Sequence, residues 1–249
     1  MRLKPWIAAL ALALPLSSQA ITYGIVDGNK HPYVGALVGE FSSGTFPYCS
    51  GTLISPTVFL TAAHCDLGSS RVFVSFDPAI TGDSKLLSGT YYANPEYNQS
   101  QDDPLDIAVI VLDKPVRGVV PARLPTLGQF GQVAKNQLFT AVGYGSGEVV
   151  NQPGGPVNPY IDIREYAVSE FNAVGPGYLR LSQNAATGDG GTCYGDSGGP
   201  NFLGAGARET NVLAGTTITG DSLCKSTNVI ERLDTPAARR FLGRFVTLP

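Results

Sequence analysis

Gly195-Asp196-Ser197-Gly198-Gly199-Pro200 is the stretch that decides how this chain reads. A serine hydroxyl sits between glycines, an aspartate precedes it, and Cys193 lies just upstream. Glycines leave backbone N–H groups free to point at a negative oxygen, which acyl transfer to a serine requires. A serine hydroxyl is a weak nucleophile at neutral pH. It needs a base to take its proton, and the base needs a carboxylate to fix its tautomer. Working upstream, Asp106-Ile107-Ala108-Val109 offers the carboxylate and Thr61-Ala62-Ala63-His64-Cys65 offers the base.

Scarcity constrains the base, because His31 and His64 are the only histidines. His31 precedes Pro32 in a polar, glycine-containing stretch and is expected to be a solvated surface residue. His64 follows the apolar run Val58–Thr61 and is expected at a strand end. A histidine after an apolar run is ordinarily structural; its neighbours and the serine motif downstream reverse that reading here. Asp106 has rivals in Asp102 and Asp103, and such an acidic cluster ordinarily marks a solvated loop or a weak calcium site. Only Asp106 opens an apolar strand, Ile107–Leu112, so it alone is expected to be held partly buried.

The first twenty residues read as a leader rather than as part of the fold. Arg2 and Lys4 are followed by the apolar run Trp6–Leu14, and Ser18-Gln19-Ala20 supplies small residues suited to cleavage. The run is too short to span a bilayer, which takes about 20 residues. The mature chain, 21–249, is expected to be secreted, extracellular or periplasmic, and without a membrane segment. Of the 17 basic residues, Arg2 and Lys4 lie in the leader, and the remaining 15 face 20 acidic ones. That balance, with no basic run interleaved with aromatics, argues against nucleic acid as a partner.

At 249 residues and 43% hydrophobic content the chain can bury a full core. Its 30 glycines, 18 prolines and 15% charged residues favour a turn-rich β protein. Expected strands are Val34–Val38, Thr52–Ile54, Val58–Thr61, Arg71–Phe76, Ile107–Leu112, Leu138–Val142, Tyr178–Leu181 and Val212–Ile218. Gly145–Pro159 reads as a surface loop. At the C-terminus Asp234 or Thr235 can cap a helix that begins at Pro236 and presents Ala238, Phe241, Leu242 and Phe245 on one face. Four cysteines fit an oxidising compartment and allow three pairings, among which spacing does not choose. With no Cys-x-x-Cys pair and two histidines, a zinc site is not expected, and no cofactor is called for.

The order His64, Asp106, Ser197, with these local sequences, resembles the chymotrypsin/trypsin family of serine proteases. The resemblance implies an all-β fold of two packed antiparallel barrels, about 21–124 and 136–234, and a C-terminal helix at about 235–246. The boundary would fall in Leu124–Lys135. It implies an endopeptidase acting on polypeptides through an acyl-enzyme and working as a monomer. Gly195 and Ser197 would supply the oxyanion hole. Disulfides would join Cys49 to Cys65 and Cys193 to Cys224, each contributing roughly 3 kcal/mol on the chain-entropy model. Asp196 would pair with a new N-terminal ammonium. Two termini compete for that role, Ile21-Thr22-Tyr23-Gly24 and Ile25-Val26-Asp27-Gly28; spacing to Pro32-Tyr33 favours Ile21, which follows Ala20 directly.

Departures from the family pattern fall in the substrate pocket. Ile218-Thr219-Gly220 stands where the family usually has Ser-Trp-Gly, which removes a hydroxyl that supports the aspartate and an aromatic pocket wall. By the same resemblance Gly191 lies at the pocket floor with Thr192 beside it, and Asn228 is expected to project into the pocket. An uncharged floor gives a cation no partner, so small or medium uncharged side chains are expected to be preferred over Lys and Arg. Two other readings compete. Gly195–Gly199 fits the elbow of α/β-hydrolases, but no histidine follows His64. A catalytically weak or silent homologue used as a binding module is the other, and the departures at Ile218 and Thr219 are its main support.

Overall fold

The computed structural model describes residues 21–42, 44–101 and 103–249. The leader, 1–20, lies outside the described residues. A short strand, β1 (Ile25–Val26), precedes β2 (Val34–Phe41), β3 (Gly44–Ser55), β4 (Val58–Thr61), β5 (Arg71–Ser75), β6 (Leu87–Ala93) and β7 (Ala108–Leu112). Strands β2 to β7 close an antiparallel barrel in the order β2-β3-β4-β7-β6-β5. The second half contains β8 (Leu138–Gly143), β9 (Val150–Gln152), β10 (Gly155–Val157), β11 (Glu165–Val174), β12 (Tyr178–Ser182), β13 (Pro200–Leu203), β14 (Leu213–Gly220) and β15 (Thr227–Arg232). There the order β11-β12-β15-β14-β13-β8 closes through pairing of β8 with β11, and β1 adds to β11 at the rim. The chain is thus all-β, two packed antiparallel barrels followed by one helix, α1 (Pro236–Leu242).

Period-two alternation explains why the strands read as continuous apolar runs. Leu37 of β2, Phe59 of β4 and Ile110 of β7 point into the first barrel. Their neighbours Ala36, Val38, Leu60 and Val109 point out, to a core shared with Val142, Tyr144, Phe202 and Leu213 of the second half. Phe139, Leu179, Leu181, Ala214 and Ile230 fill the second barrel. Strands buried on both faces need no polar side. The helix is capped by Thr235, whose hydroxyl accepts from the Ala238 N–H, and it buries Ala238, Phe241 and Leu242 in the shared core. It is shorter than the expected 235–246, since Phe245 packs beside it from beyond its end.

Two expectations need correction. Gly145–Pro159 is not all loop, because β9 and β10 form a hairpin there. His31 is not on the surface. It is fully buried, with Nδ1 against Asp27 and Nε2 2.6 Å from Glu209 Oε1. Among the described residues no helix is long and apolar enough to cross a membrane.

Candidate active site

His64 is carried by a single 3-10 turn, Ala63–Cys65, at the end of β4. The turn is pinned from below by the Tyr91 hydroxyl, which donates to the Ala62 carbonyl at 2.6 Å, and from the side by the Cys49–Cys65 disulfide. Asp106 lies just before β7, the strand that pairs with β4, so the barrel's own register brings the two side chains together. The Asp106 carboxylate accepts twice from one residue: from the His64 backbone N–H at 2.9 Å and at Nδ1 at 2.6 Å. Asp106 is buried, while a quarter of the His64 side chain stays exposed (25%). Among the described residues Nε2 has no hydrogen-bond partner.

Ser197 comes from the other half. Its loop leaves β12 and enters β13, and two glycines make its path possible. Gly195 has φ +94° and Gly198 has φ +78°, a left-handed region that side chains avoid. At Gly198 a Cβ would also stand 2.1 Å from Thr61 Oγ1 and 2.6 Å from the Ser50 carbonyl, so the serine loop presses on the first barrel. Ser50, fully buried on β3, fastens that contact: its N–H donates to the Ser197 carbonyl at 2.8 Å and its hydroxyl to the Gly195 carbonyl at 3.1 Å. The Gly195 and Ser197 N–H groups are engaged in no internal hydrogen bond among the described residues. No bond joins the serine hydroxyl to His64 in this structure; such bonds commonly tighten only with substrate in place.

A cavity of about 310 Å³ opens beside Ser197, lined by Thr192, Tyr194, Thr217, Ile218, Thr219, Gly220 and Asp221. An adjoining cavity carries His64 and Asp106 and shares Ile218 and Thr219 with the first. Ile218 sits at an irregularity of β14, where the pairing to β15 skips one residue, and a bulge of this kind re-aims a side chain. The Cys193–Cys224 disulfide ties the two walls.

Asn228 corrects the expected pocket. It points away from the cavity, because it shares a face of β15 with Ile230, which fills the second barrel. There its Nδ2 donates to Asn201 Oδ1 at 3.0 Å, and Asn201 donates in turn to Thr217 Oγ1. Gly191 does not line the cavity either. It is bridged to Thr22, and a Cβ on it would meet Gln183 Oε1 at 2.1 Å. Gln183, fully buried, therefore occupies the space beneath the pocket, with its Nε2 3.4 Å from Asp221 Oδ1. Asp221 holds the opposite wall by accepting from the Lys225, Ser226 and Thr227 N–H groups, which help hold its carboxyl below the ordinary range although burial pulls the other way. Nothing in the local sequence marked Ser50, Gln183 or Asp221.

Asp196 is completely buried and turns away from the cavity, accepting from the Gly145 and Cys193 N–H groups at 2.8 Å each. Burial pushes its carboxyl up to about 8, against the pull of these two bonds, and the charge of Glu165 adds to the rise. The Ile21 N–H is directed at Glu165 Oε2, 3.2 Å away, and not at Asp196. Beneath Asp106, the buried Glu231 is pushed up to about 9 by burial and by neighbouring Asp103, so it adds no charge there at neutral pH. The grouping of ligand-type atoms formed by Cys49, His64 and Cys65 has both sulfurs committed to the disulfide.

The sequence model of the Trypsin family matches residues 25–237. A trypsin of Saccharopolyspora erythraea is 28% identical over 209 residues, covering 78% of this chain and 84% of its own length. Snake venom serine protease PTLE1 of Gloydius halys is 32% identical over 188 residues, covering 69% and 67%. Thrombin-like enzyme BjussuSP-1 of Bothrops jararacussu is 29% identical over 184 residues, covering 70% and 75%.

Proposed function

Because the chain belongs to the trypsin family and is a serine endopeptidase, we propose that it cleaves polypeptides through Ser197, His64 and Asp106 by way of an acyl-enzyme. Ser197 Oγ attacks the scissile carbonyl carbon while His64 Nε2 takes its proton. Asp106 keeps the other nitrogen protonated and steadies the imidazolium that forms. The carbonyl oxygen, now negative, turns to the Gly195 and Ser197 N–H groups; losing one such donor typically costs on the order of 100- to 1,000-fold. His64 returns the proton to the leaving amine, the C–N bond breaks, and water repeats the sequence to release the acyl group. The observation that carries this reading is the His64 Nδ1 to Asp106 Oδ2 contact at 2.6 Å with Nε2 left open beside the Ser197 cavity.

The pocket supports a preference for small or medium uncharged side chains at the residue before the cut. Gln183 fills the space beneath it, and Asp221 already holds three backbone N–H groups. Residues 1–20 would direct export, and cleavage after Ala20 would create the working terminus at Ile21 in a secreted monomer. Two disulfides suit that compartment. Incubation of the processed chain with a peptide library tests both the activity and the pocket. Cleavage after Ala, Val or Ser, abolished in Ser197→Ala, is the expected result; selective cleavage after Arg refutes the pocket, and no cleavage by folded, processed chain refutes the triad.

A further inference from the structure

Asp106 is carried by an uncommon piece of backbone. Leu105 before it has φ +51°, a left-handed conformation that residues other than glycine seldom adopt. The Ile107 N–H donates to the Leu105 carbonyl at 2.8 Å, which closes a three-residue turn centred on Asp106. His64 takes both Asp106 carboxylate oxygens. The Asp106 N–H has no backbone acceptor among the described residues, and the group it faces is the carboxyl of Glu231 on β15.

Glu231 is fully buried, and neither of its oxygens makes a hydrogen bond of ordinary geometry among the described residues. Across the sheet it stands opposite Thr216 on β14 and Tyr178 on β12. Gly177, just before Tyr178, is where the loop leading to Asp106 lands. A Cβ on Gly177 would lie 2.2 Å from Asp103 Oδ1 and 2.7 Å from the Asp103 Cα. Asp103 Oδ1 is likewise buried and has no partner among the described residues. Two acids, one from each half of the molecule, thus meet behind Asp106, with the Thr216 hydroxyl beside them. The cations on these strands are engaged elsewhere. Arg232 bonds Asp234 twice at 2.9 Å and the Gly175 carbonyl at 3.1 Å. Arg180 is exposed and lies over the Tyr178 ring, 5.4 Å from its centroid.

Two carboxyl groups brought together out of water resist ionising together, and one proton between them turns repulsion into a hydrogen bond. Burial and then Asp103 push Glu231 up to about 9, against the pull of the Asp106 N–H. We propose that Glu231 is a positioning residue for Asp106: it keeps its proton, donates it to an Asp103 oxygen, and accepts the Asp106 N–H with its other oxygen. The second barrel thereby holds the loop that aims Asp106 at His64. Losing the proton sets a new negative charge against Asp103 and behind Asp106, and the loop is pushed away. The proposal rests on the reading of Asp106 as the carboxylate that serves His64.

The test follows kcat and KM across pH on the best-cleaved library peptide, and the rate at which a phosphonyl fluoride labels Ser197. It compares processed wild type with Glu231→Gln and Glu231→Leu. Glu231→Leu should lower kcat by roughly 100-fold, the scale of a small misplacement at a reacting centre, with little change in KM. Glu231→Gln, whose amide can donate and accept in the same places, should recover most of the rate. Wild-type kcat should fall as pH rises through about 9, and Glu231→Gln should lack that step. If Glu231→Leu does not fold, the two remaining pH profiles decide. An alkaline step that is unchanged in Glu231→Gln overturns the proposal. So does calcium-dependent stabilisation of wild type that Glu231→Gln loses, because a cation would then stand where the proton is placed. Labelling separates the two failures. Wild type that labels at Ser197 no faster than Glu231→Leu refutes the role of Glu231 alone, whereas folded, processed wild type that takes no label refutes the triad beneath it.

Discussion

The two histidines hold nearly the same first partner and do opposite work. Each sets Nδ1 against an aspartate, His31 against Asp27 and His64 against Asp106. His31 has its second nitrogen 2.6 Å from Glu209, and its side chain is 1% exposed. Burial alone would lower its pKa, but the bonds and charges of Asp27 and Glu209 outweigh it and hold the imidazolium above the usual range. Arg164 and Lys30 complete the node, and Glu209 is drawn down to about 2 by bonds from His31 and Lys30 that overcome its own burial. His64 keeps Nε2 free and a quarter of its side chain exposed (25%). A His–Asp pair with both nitrogens occupied is a clamp; one with an open nitrogen beside a serine can move a proton.

The comparison breaks most sharply on activity. Ser197→Ala should lower turnover by about a million-fold, His64→Ala by about as much, and the double variant by little more, because the residues act as a unit. His31→Leu should leave turnover per titrated active site unchanged. Its effect belongs to stability: it strands Asp27 and Glu209 without their shared partner, at a cost of about 3–5 kcal/mol, read by denaturant unfolding.

What the sequence made legible follows the same division. His64, Asp106 and Ser197 could be proposed because each stands in a short local motif of its own, although 42 residues separate His64 from Asp106. His31 was misread because Glu209, its second partner, and Arg164, which bonds its first partner Asp27, lie far along the chain, and a polar neighbourhood in sequence became a buried node in space. Five of the first barrel's six strands were visible as apolar runs and β6 was not, while in the second barrel β11 and β15, which carry Glu165, Ser169, Asn228 and Glu231, hid behind their polar residues. Asn228 could have been placed, since Ile230 two residues on fixes the face it shares. Glu165 had no motif, and only the return of β1 onto β11 brings Ile21 to it.

Smaller effects sharpen the contrast through pH. His31 has a raised folded pKa, so its contribution is complete below the unfolded value of about 6.5 and is lost as pH rises through the folded value. Wild-type chain should therefore lose stability above that pH in a step that His31→Leu lacks. Asp196, raised to about 8 from 3.8, acts with the same sign in unprocessed chain, where stability should fall progressively between these two values and level off above them. Processing should abolish that second slope, which unfolding curves of the two forms across pH will read directly. Smallest of all, Asn228→Ala should shift side-chain preference at the cut by less than about two-fold while costing about 1–3 kcal/mol, since it leaves buried hydrogen-bonding groups unpaired inside the barrel.

The central claim, that His64 activates Ser197, is tested most directly by labelling processed chain with a phosphonyl or sulfonyl fluoride and weighing the intact protein. We expect a single adduct, located on the peptide that carries Ser197, formed at the same rate in His31→Leu and at a negligible rate in His64→Ala. Folded, processed wild-type chain that takes up no label, or His64→Ala that labels as fast as wild type, would contradict it.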